Sequence, residues 1–373
     1  MKVVAGDWSA WKASEAWSLG VEEEVMLLDT STGRLAQVGD HVLPELERRM
    51  GERVCSETHR GVAELVTSPH ATVRGVVDEL AASRAEIETA LAPEGLSVAA
   101  AGTHPTTTWE EVDVSPAVRH QLVLATMVGL ARREPTFALH VHVAVPDPHD
   151  AIRLMARLRW RLPLLLALSA NSPFWQGRDV GMASTRTSLF GAFPRTGLPP
   201  RFAGYGEWVA TVDLLVRSEA IPDPTFLWWD ARPQPRFGTL ELRIMDAQSC
   251  TQDTAALVAL TQALARLELT EGADPPTDTG VEEALQENRF LAARDGMDAE
   301  LIDVAAGRRR PVRELLAETL EAAVPHAHDL GCDGELAAVD ELARKPGAAR
   351  QRRLAASGGG PAAVAGALAR QFT

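Results

Sequence analysis

Cysteine is scarce in this chain of 373 residues, which holds only Cys55, Cys250 and Cys332. The three are widely spaced, odd in number and form no CxxC pair, which argues against a disulfide framework and a thiolate zinc site. This usage fits a reducing compartment, and we predict a cytoplasmic protein. No secretory signal is expected, because the stretch from Met1 to Trp17 lacks an apolar core segment.

Long hydrophobic runs and an excess of positive charge are also missing. The nearest approach to a membrane span, residues 162 to 170, is far too short and contains Pro163. The 51 acidic and 37 basic residues give a formal net charge of −14, whereas nucleic acids and anionic membranes attract positive surfaces. We therefore expect neither a nucleic-acid partner nor a membrane partner.

The order of predicted elements mixes strands and helices without a regular βαβ repeat. A strong amphipathic helix is expected at Thr72–Leu91, a helix at 149–170 that crosses Pro163, and a strand at Thr136–Val145. This order favours an α+β fold with a largely antiparallel sheet. By composition we divide the chain into an irregular lead-in (1–17), one large domain (18–344) and an Ala/Gly/Arg-rich tail with a weak helix (345–373).

The stretch from Leu19 to Leu27 alternates between the two faces of a predicted strand. Aliphatic residues occupy one face, and Glu22 and Glu24 share the other. Like charges on one face repel each other and destabilise a sheet. A divalent cation bound between Glu22 and Glu24 would remove that repulsion. The alternative is an edge strand with a solvated acidic face. Glu23 points away from this pair and is expected to bind no metal.

Two further strands repeat the same pattern. His140 and His142 share the polar face of one strand, and Glu241 and Arg243 share that of another. Taken singly, the histidines are also compatible with a solvent-facing surface, and the Glu–Arg pair with a plain salt bridge. Three such strands together indicate a sheet whose polar face binds divalent metal and phosphate.

Glu57 and Glu64 are further candidate ligands of this metal site. They lie seven residues apart, and the segment His59-Arg60-Gly61 offers a break that lets both reach one face. The alternative is a pair of ordinary exposed carboxylates. A set of oxygen ligands with one or two histidines suits Mg²⁺ or Mn²⁺ better than zinc.

Arginines cluster in two segments of this acidic chain. The strand pair near residue 235 contributes Arg232 and Arg236, and the loop from Asn171 to Phe202 contributes Arg178, Arg186, Arg195 and Arg201. Guanidinium groups bind phosphate and carboxylate oxygens with two parallel hydrogen bonds. The set indicates an anionic substrate together with a nucleotide, although each arginine alone is also compatible with a structural ion pair.

Six segments together resemble the bacterial carboxylate–amine ligases, also called type 2 glutamate–cysteine ligases. They stand in family order at Gly20–Glu24, Leu139–Val143, Ala170–Trp175, Trp229–Pro233, Gly238–Arg243 and Glu287–Arg289. The resemblance implies a glutamine-synthetase-like fold, in which an antiparallel sheet forms an active-site funnel and helices pack outside it. The domain 18–344 would then be catalytic.

The implied reaction depends on ATP as co-substrate. A carboxylate, by default the γ-carboxyl of L-glutamate, attacks the γ-phosphate of ATP to give an acyl phosphate, and an amine, by default L-cysteine, displaces phosphate. Such chemistry needs positioning and charge neutralisation above all. Other acids or amines, a carboxyl or guanidino kinase, and a non-catalytic nucleotide-binding regulator stay open, as does a homodimer.

The resemblance also implies roles for the candidate residues. One Mg²⁺ or Mn²⁺ is expected to bind Glu24, Glu57 and Glu64, and a second is expected to bind Glu22, His140 and Glu241. Arg243 would stabilise the charge of the transferring phosphoryl group, with His142 near the phosphates. Substrate carboxylate and ATP would be held by Arg178 or Arg186 and by Arg232 and Arg236.

Overall fold

The computed structural model describes residues 8–133, 135–273 and 280–373. In chain order its strands are β1 (Leu19–Asp29), β2 (Val54–Ser56), β3 (Val62–Val66), β4 (Leu96–Ala99), β5 (Ala138–Ala144), β6 (Phe174–Trp175), β7 (Arg178–Asp179), β8 (Thr196–Gly197), β9 (Trp228–Trp229), β10 (Ala231–Gln234), β11 (Thr239–Asp246), β12 (Glu300–Asp303) and β13 (Arg308–Pro311).

Helices account for most of the remaining ordered backbone. The α-helices are α1 (Gly39–Met50), α2 (Val73–Leu91), α3 (Val118–Met127), α4 (Gly129–Arg133), α5 (Pro148–Leu158), α6 (Leu162–Ser169), α7 (Thr185–Phe190), α8 (Tyr205–Arg217), α9 (Thr251–Thr270), α10 (Val281–Asp295), α11 (Val312–Leu330), α12 (Asp333–Ala337), α13 (Val339–Arg344), α14 (Gly347–Ala356) and α15 (Ala362–Ala369). Among the described helices, none is both long and apolar enough to cross a bilayer.

The central sheet is antiparallel throughout and is ordered β10-β11-β5-β1-β3-β2, with β4 paired to the far end of β1. β1 has β3 on one edge. On its other edge it pairs with β5 through residue 23 and with β4 from residue 26 onward. Glu24 therefore lies where the neighbouring strand changes, and its carboxylate accepts a hydrogen bond from the Ala138 N–H at 2.6 Å.

The apolar face of the sheet is covered by helices. Val21, Val25 and Leu27 of β1 are completely buried, as the alternating pattern predicts. α9 contributes a nearly continuous buried surface behind the sheet and packs against α2, α5 and α11. The polar face of β1 is thereby left open toward the cavities described below.

Three local predictions differ from the structure. The helix expected across 149–170 is divided into α5 and α6, because Pro163 lacks an N–H and fits in the first turn of a new helix. The loop expected from 171 to 206 contains the short helix α7. The region after residue 253, expected to be mostly helical, includes the hairpin formed by β12 and β13.

Both ends of the described chain pack on the main domain. Trp11 Nε1 donates a hydrogen bond to the Val145 carbonyl at 2.9 Å, and residues 1–7 of the expected lead-in lie outside the described residues. The expected weak helix of the tail is a pair of helices, α14 and α15. Phe372 is completely buried and Gln351 Nε2 donates to the Asn171 carbonyl at 2.7 Å. The boundary at residue 345 stays a division by composition.

Glu23 forms a completely buried ion pair on the helix side of the sheet. Arg84 of α2 binds its carboxylate through Nε and Nη2, at 2.8 and 2.6 Å. The same guanidinium donates to the carbonyls of Gln248, which follows β11, and of Phe372. One side chain thus fixes β1, the end of β11 and the C-terminal segment relative to one another.

This ion pair predicts a large effect on stability. Arg84→Met leaves the Glu23 charge buried without a cationic partner, so we expect the free energy of unfolding to fall by about 3–5 kcal/mol. Urea denaturation measures the change. Arg48→Met is the matched control, because Arg48 is 69% exposed in its ion pair with Glu45, and it should cost less than about 1 kcal/mol. Equal losses for the two variants would contradict the assignment.

Candidate active site

Acidic and imidazole side chains from four neighbouring strands meet on the open face of the sheet. The register sets Glu22 opposite His140, Glu24 opposite Glu64, and His142 opposite Glu241. Because side chains of paired residues lie on the same face of a sheet, the groups converge. We call them the carboxylate–imidazole cluster, which consists of Glu22, Glu24, Glu64, His140, His142 and Glu241.

Glu22 is held between the two histidines. His140 Nδ1 donates to Glu22 Oε2 at 3.0 Å, and His142 Nε2 lies 3.2 Å from Glu22 Oε1. Burial by itself raises the pKa of Glu22, but the charge of His142 and hydrogen bonds from both imidazoles outweigh it and hold the pKa well below its usual range. Glu22 is therefore an ionised carboxylate at neutral pH.

Glu24 and Glu64 have the opposite tendency. Burial, followed by the charge of Glu57, raises the pKa of Glu24 to about 7, although Arg186 and Arg243 oppose the shift. Burial and the charges of neighbouring carboxylates also raise the pKa of Glu64, to which Cys55 Sγ donates a hydrogen bond at 3.1 Å. Both shifts have burial as their largest cause, and repulsion between the carboxylates adds to it.

Glu241 is completely buried between two arginines. Arg232 donates to it from Nε at 2.7 Å and from Nη2 at 3.3 Å, and Arg243 Nη1 also contacts it. Burial would raise the pKa of Glu241, but the charges of Arg232 and Arg243 outweigh it and lower the pKa. Glu241 is held as a carboxylate.

The donor set fits a divalent cation. Two triads have ligand atoms within 4.8 Å of one another, Glu22–His142–Glu241 and Glu22–Glu64–His140. In the described residues, Nε2 of His140 is buried without a hydrogen-bond partner, whereas Nε2 of His142 lies against the Glu22 carboxylate. Carboxylate oxygens are the donors that Mg²⁺ or Mn²⁺ prefers, and the unpartnered His140 nitrogen beside them would complete such a ligand set.

These triads differ from the grouping that the family resemblance implies. Within the described ranges, neither Glu24–Glu57–Glu64 nor Glu22–His140–Glu241 has all its ligand atoms within that distance. The cross-strand partner of Glu241 is His142, and His140 Nδ1 lies 3.9 Å from Glu241 Oε1, so the predicted ligand set stays a prediction. Glu57 lies outside both triads and lines a cavity beside Glu24.

That cavity, which we call cavity A, opens on one side of the cluster. Its walls include Glu24, Glu57, His140, Arg186 and Arg243. Arg186 is buried and donates to the carbonyls of Arg243 and Ile244, at 3.0 and 3.2 Å. Over the part of the chain that the structure describes, Nε of Arg186 and Nε of Arg243 are buried without a partner. Cavity A therefore offers guanidinium groups to an anion.

A second cavity, cavity B, opens on the other side of the cluster. It is lined mainly by apolar atoms and backbone, and its walls include Gly20, Glu22, Thr67, His142 and Phe237. The Phe237 ring is 47% exposed and meets the His142 ring edge to face, with centroids 5.9 Å apart. The carboxylate–imidazole cluster thus contributes Glu24 and His140 to cavity A and Glu22 and His142 to cavity B.

The four arginines that were expected to bind substrate or ATP lie in different surroundings. Arg186 lines cavity A, while Arg178 lies exposed in the β6–β7 hairpin and lines neither cavity. Arg232 donates hydrogen bonds to Glu241 and, from Nη1, to the carbonyls of Thr225 and Leu227. Few of its N–H donors are therefore left for a substrate. Arg236 stacks over Phe237 at 5.6 Å beside cavity B.

Sequence reasoning missed other residues of cavity A. Arg119 of α3 and His59 line it together with Phe190, Phe193 and Trp228. His59 Nε2 donates to the Ala131 carbonyl at 2.7 Å, and burial lowers its pKa. No local pattern marks these residues, because their place depends on how α3, α7 and β9 pack over the sheet.

Solved structures of known proteins share this fold. A glutamate–cysteine ligase of Francisella tularensis in complex with AMP matches with a TM-score of 0.71 at 12% identity, over 97% of this chain and 90% of that chain. A bifunctional glutathione synthetase of Pasteurella multocida matches with a TM-score of 0.67 at 17% identity, over 95% of this chain and 52% of that chain. The expected α+β, glutamine-synthetase-like fold class is confirmed.

Sequence comparison identifies the family. A curated protein of Rubrobacter xylanophilus with the provisional name glutamate–cysteine ligase 2-1 is 40% identical over 91% of this chain and 90% of its own length. A provisionally named glutamate–cysteine ligase 2 of Thermobifida fusca is 36% identical over 96% of this chain and 92% of its own. The model of glutamate-cysteine ligase family 2 matches residues 18–373. The chain therefore belongs to glutamate-cysteine ligase family 2 and is an ATP-dependent ligase.

Proposed function

We propose that the enzyme joins the γ-carboxyl of L-glutamate to an amine, by default L-cysteine, through an acyl phosphate. The observation that carries the proposal is the carboxylate–imidazole cluster between two cavities, one rich in arginine and the other largely apolar. A carboxylate and a nucleotide that enter from opposite sides would meet at this cluster. The relatives' provisional names support the same pair of substrates.

The two cavities suit different substrates. Cavity B offers the exposed ring of Phe237 and apolar walls to a nucleotide base, with Glu22 and His142 at its inner end. Cavity A offers the unpartnered Nε groups of Arg186 and Arg243 to the carboxylates of the acid. Arg178, which lies exposed outside both cavities, is not part of this proposal, and Arg232 acts by holding Glu241.

The cluster would hold Mg²⁺ or Mn²⁺, at two or more positions, through the two triads that contain Glu22. Such a cation neutralises phosphate oxygens and orients them for in-line transfer. The residues fit that role because Glu22 and Glu241 are held ionised, while burial and neighbouring carboxylates keep the pKa values of Glu24 and Glu64 raised. Glu57, at the rim of cavity A, is proposed as an additional ligand.

Arg243 and His142 would stabilise charge on the transferring phosphoryl group. Burial by itself lowers the pKa of each, but the charge of Glu241 on Arg243, and those of Glu22 and Glu241 on His142, outweigh it and raise both pKa values. Arg243 thus keeps its charge beside the cluster, whereas His142 would act as a cation only while its ring holds no metal ion. Preorganised cations that do not reorient during the reaction are an effective source of transition-state stabilisation.

In the first step a carboxylate oxygen forms a bond to the γ-phosphorus and ADP leaves. In the second step the amine nitrogen forms a bond to the carbonyl carbon, the bond from carbon to phosphate oxygen breaks, and the ammonium proton passes to solvent. Arg186 and Arg243 would keep the acid in place through both steps. A cytoplasmic location and the oligomeric state remain predictions.

Phosphate release tests the reaction type. Purified protein with ATP, Mg²⁺, L-glutamate and L-cysteine should release phosphate only when both amino acids are present, because the acyl phosphate needs an amine to react. The product should contain one new amide bond by mass spectrometry. Release of ADP with an acid alone, leaving a stable phosphorylated acid, would indicate a kinase instead.

Glu64→Gln separates the metal site from the fold. The neutral amide removes a repelled carboxylate, so we expect the melting temperature without metal to stay the same or rise. Turnover with Mg²⁺ should fall by about 100-fold or more, since even the supports of metal ligands are worth roughly 10–100-fold. Glu287→Gln, at a carboxylate 45% exposed on α10, is the control and should keep both properties. Full activity of Glu64→Gln would reject Glu64 as a ligand.

Glu241→Gln should behave differently from Glu64→Gln. It removes the anionic partner of Arg232 and Arg243, which are then buried with uncompensated charge. We expect a loss of turnover accompanied by a loss of unfolding free energy of about 3 kcal/mol or more. Thermal and urea unfolding of the two variants, side by side, check the contrast, and equal stability of both would contradict it.

A further inference from the structure

One side of cavity B is formed by the segment that precedes β1. Residues 12–15 all line the cavity, and we call residues 11–15 the N-terminal wall. The match to the family model begins at residue 18, so the family's motifs do not include this segment. The shape of cavity B therefore depends on a part of the chain to which no role has been assigned.

The N-terminal wall is fixed on the turn between β10 and β11. The Lys12 N–H donates to the Pro235 carbonyl, and Ser14 Oγ donates to the Gly238 carbonyl, both at 2.9 Å. A Cβ at Gly238, where φ is +67°, would lie 1.9 Å from the Lys12 carbonyl oxygen, so only glycine allows so close an approach. A wall that is already ordered costs little entropy when a ligand binds against it.

This anchoring sets the wall beside the exposed ring of cavity B. Phe237 lies in the chain between the two anchor points, Pro235 and Gly238, and its ring is the one proposed above to meet the nucleotide base. Lys12 and Phe237 both line the cavity. A nucleotide whose base covers Phe237 therefore passes next to the N-terminal wall.

Lys12 is the group of cavity B best suited to an anion. Among the described residues that line this cavity, it is the single lysine or arginine. Within the ranges that the structure describes, its ammonium forms no ion pair. The two imidazoles of the cavity are already engaged, because His70 lies 2.6 Å from Glu79 and His142 lies 3.2 Å from Glu22. Lys12 is thus available to a ligand that carries negative charge.

We propose that the N-terminal wall is part of the nucleotide site and that the Lys12 ammonium binds a phosphate oxygen of the nucleotide. The inference rests on the proposed function, which assigns cavity B to ATP. The flexible stem of lysine carries a compact charge with three donors. Lys12 would therefore hold the nucleotide without taking part in the bonds that are made and broken.

Nucleotide affinity tests this role on the full chain. The β,γ-imido analogue of ATP is titrated with Mg²⁺ by calorimetry into the wild type, Lys12→Met, Lys12→Arg and Lys345→Met. We expect Lys12→Met to raise Kd about tenfold, as for the loss of one charge-assisted hydrogen bond. Lys12→Arg keeps the charge and should retain most of the affinity. In steady state, Lys12→Met should raise KM for ATP and leave kcat and KM for glutamate unchanged.

Lys345→Met is the matched control. Its side chain is 63% exposed, pairs with Glu341 and lines neither cavity, so the affinity for the nucleotide should not change. Thermal unfolding of the variants checks that each is folded.

Chemical labelling gives a second test that needs no variant. The chain has three lysines, at positions 2, 12 and 345, so peptide mass spectrometry assigns each acetylated lysine without ambiguity. Acetylation by an N-hydroxysuccinimide ester is compared with and without the imido analogue and Mg²⁺. The nucleotide should protect Lys12 and leave the labelling of Lys345 unchanged.

The outcomes separate this inference from the ligase function. Unchanged nucleotide affinity in folded Lys12→Met, or equal labelling of Lys12 with and without nucleotide, would overturn the role of Lys12 and leave the ligase reaction in place. Equal losses in Lys12→Met and Lys12→Arg would overturn the phosphate contact. Failure of the wild type to bind the nucleotide at all would reject the proposed function together with the N-terminal wall.

Discussion

Mutual repulsion of carboxylates on one face of the central sheet is the constraint on which the rest of this structure depends. Glu22, Glu24, Glu64 and Glu241 are brought together by strand pairing, and burial strengthens the repulsion because the surroundings are less polarisable than water. Neighbouring positive groups offset this repulsion for some of the carboxylates and not for others. Two carboxylates are compensated by histidine or arginine, and the other two keep raised pKa values. That imbalance is the main support for the cation site proposed here.

β1, which carries Glu22 and Glu24, is fixed by a buried ion pair on the helix side of the sheet. Glu23 lies between the two exposed-face carboxylates of β1, and its ion pair with Arg84 joins β1 to the end of β11. Glu22 and Glu241 therefore stand on strands whose separation is set by one buried guanidinium as well as by the sheet. A site that must position ligands to a fraction of an ångström needs such support.

Much of the cluster could be predicted because strand periodicity is a local property. Side chains two residues apart on a strand share a face whatever the rest of the chain does, so Glu22 with Glu24, and His140 with His142, were predictable as pairs. The arginines were not. Whether Arg186, Arg178 or Arg232 can bind a ligand depends on the tertiary contacts of these long side chains. In the structure, Arg232 donates from Nε and Nη2 to Glu241.

The amino-acid sequence by itself determined the α+β class, the three strands with one apolar and one reactive face, and the family to which their motifs belong. Only the tertiary structure decided the register. It sets His142 rather than His140 opposite Glu241, divides the openings into cavities A and B, and brings Arg119, His59 and three aromatic rings to the first of them. The physical reason is that periodicity acts over a few residues, whereas cross-strand partners and cavity walls come from segments far apart in the chain.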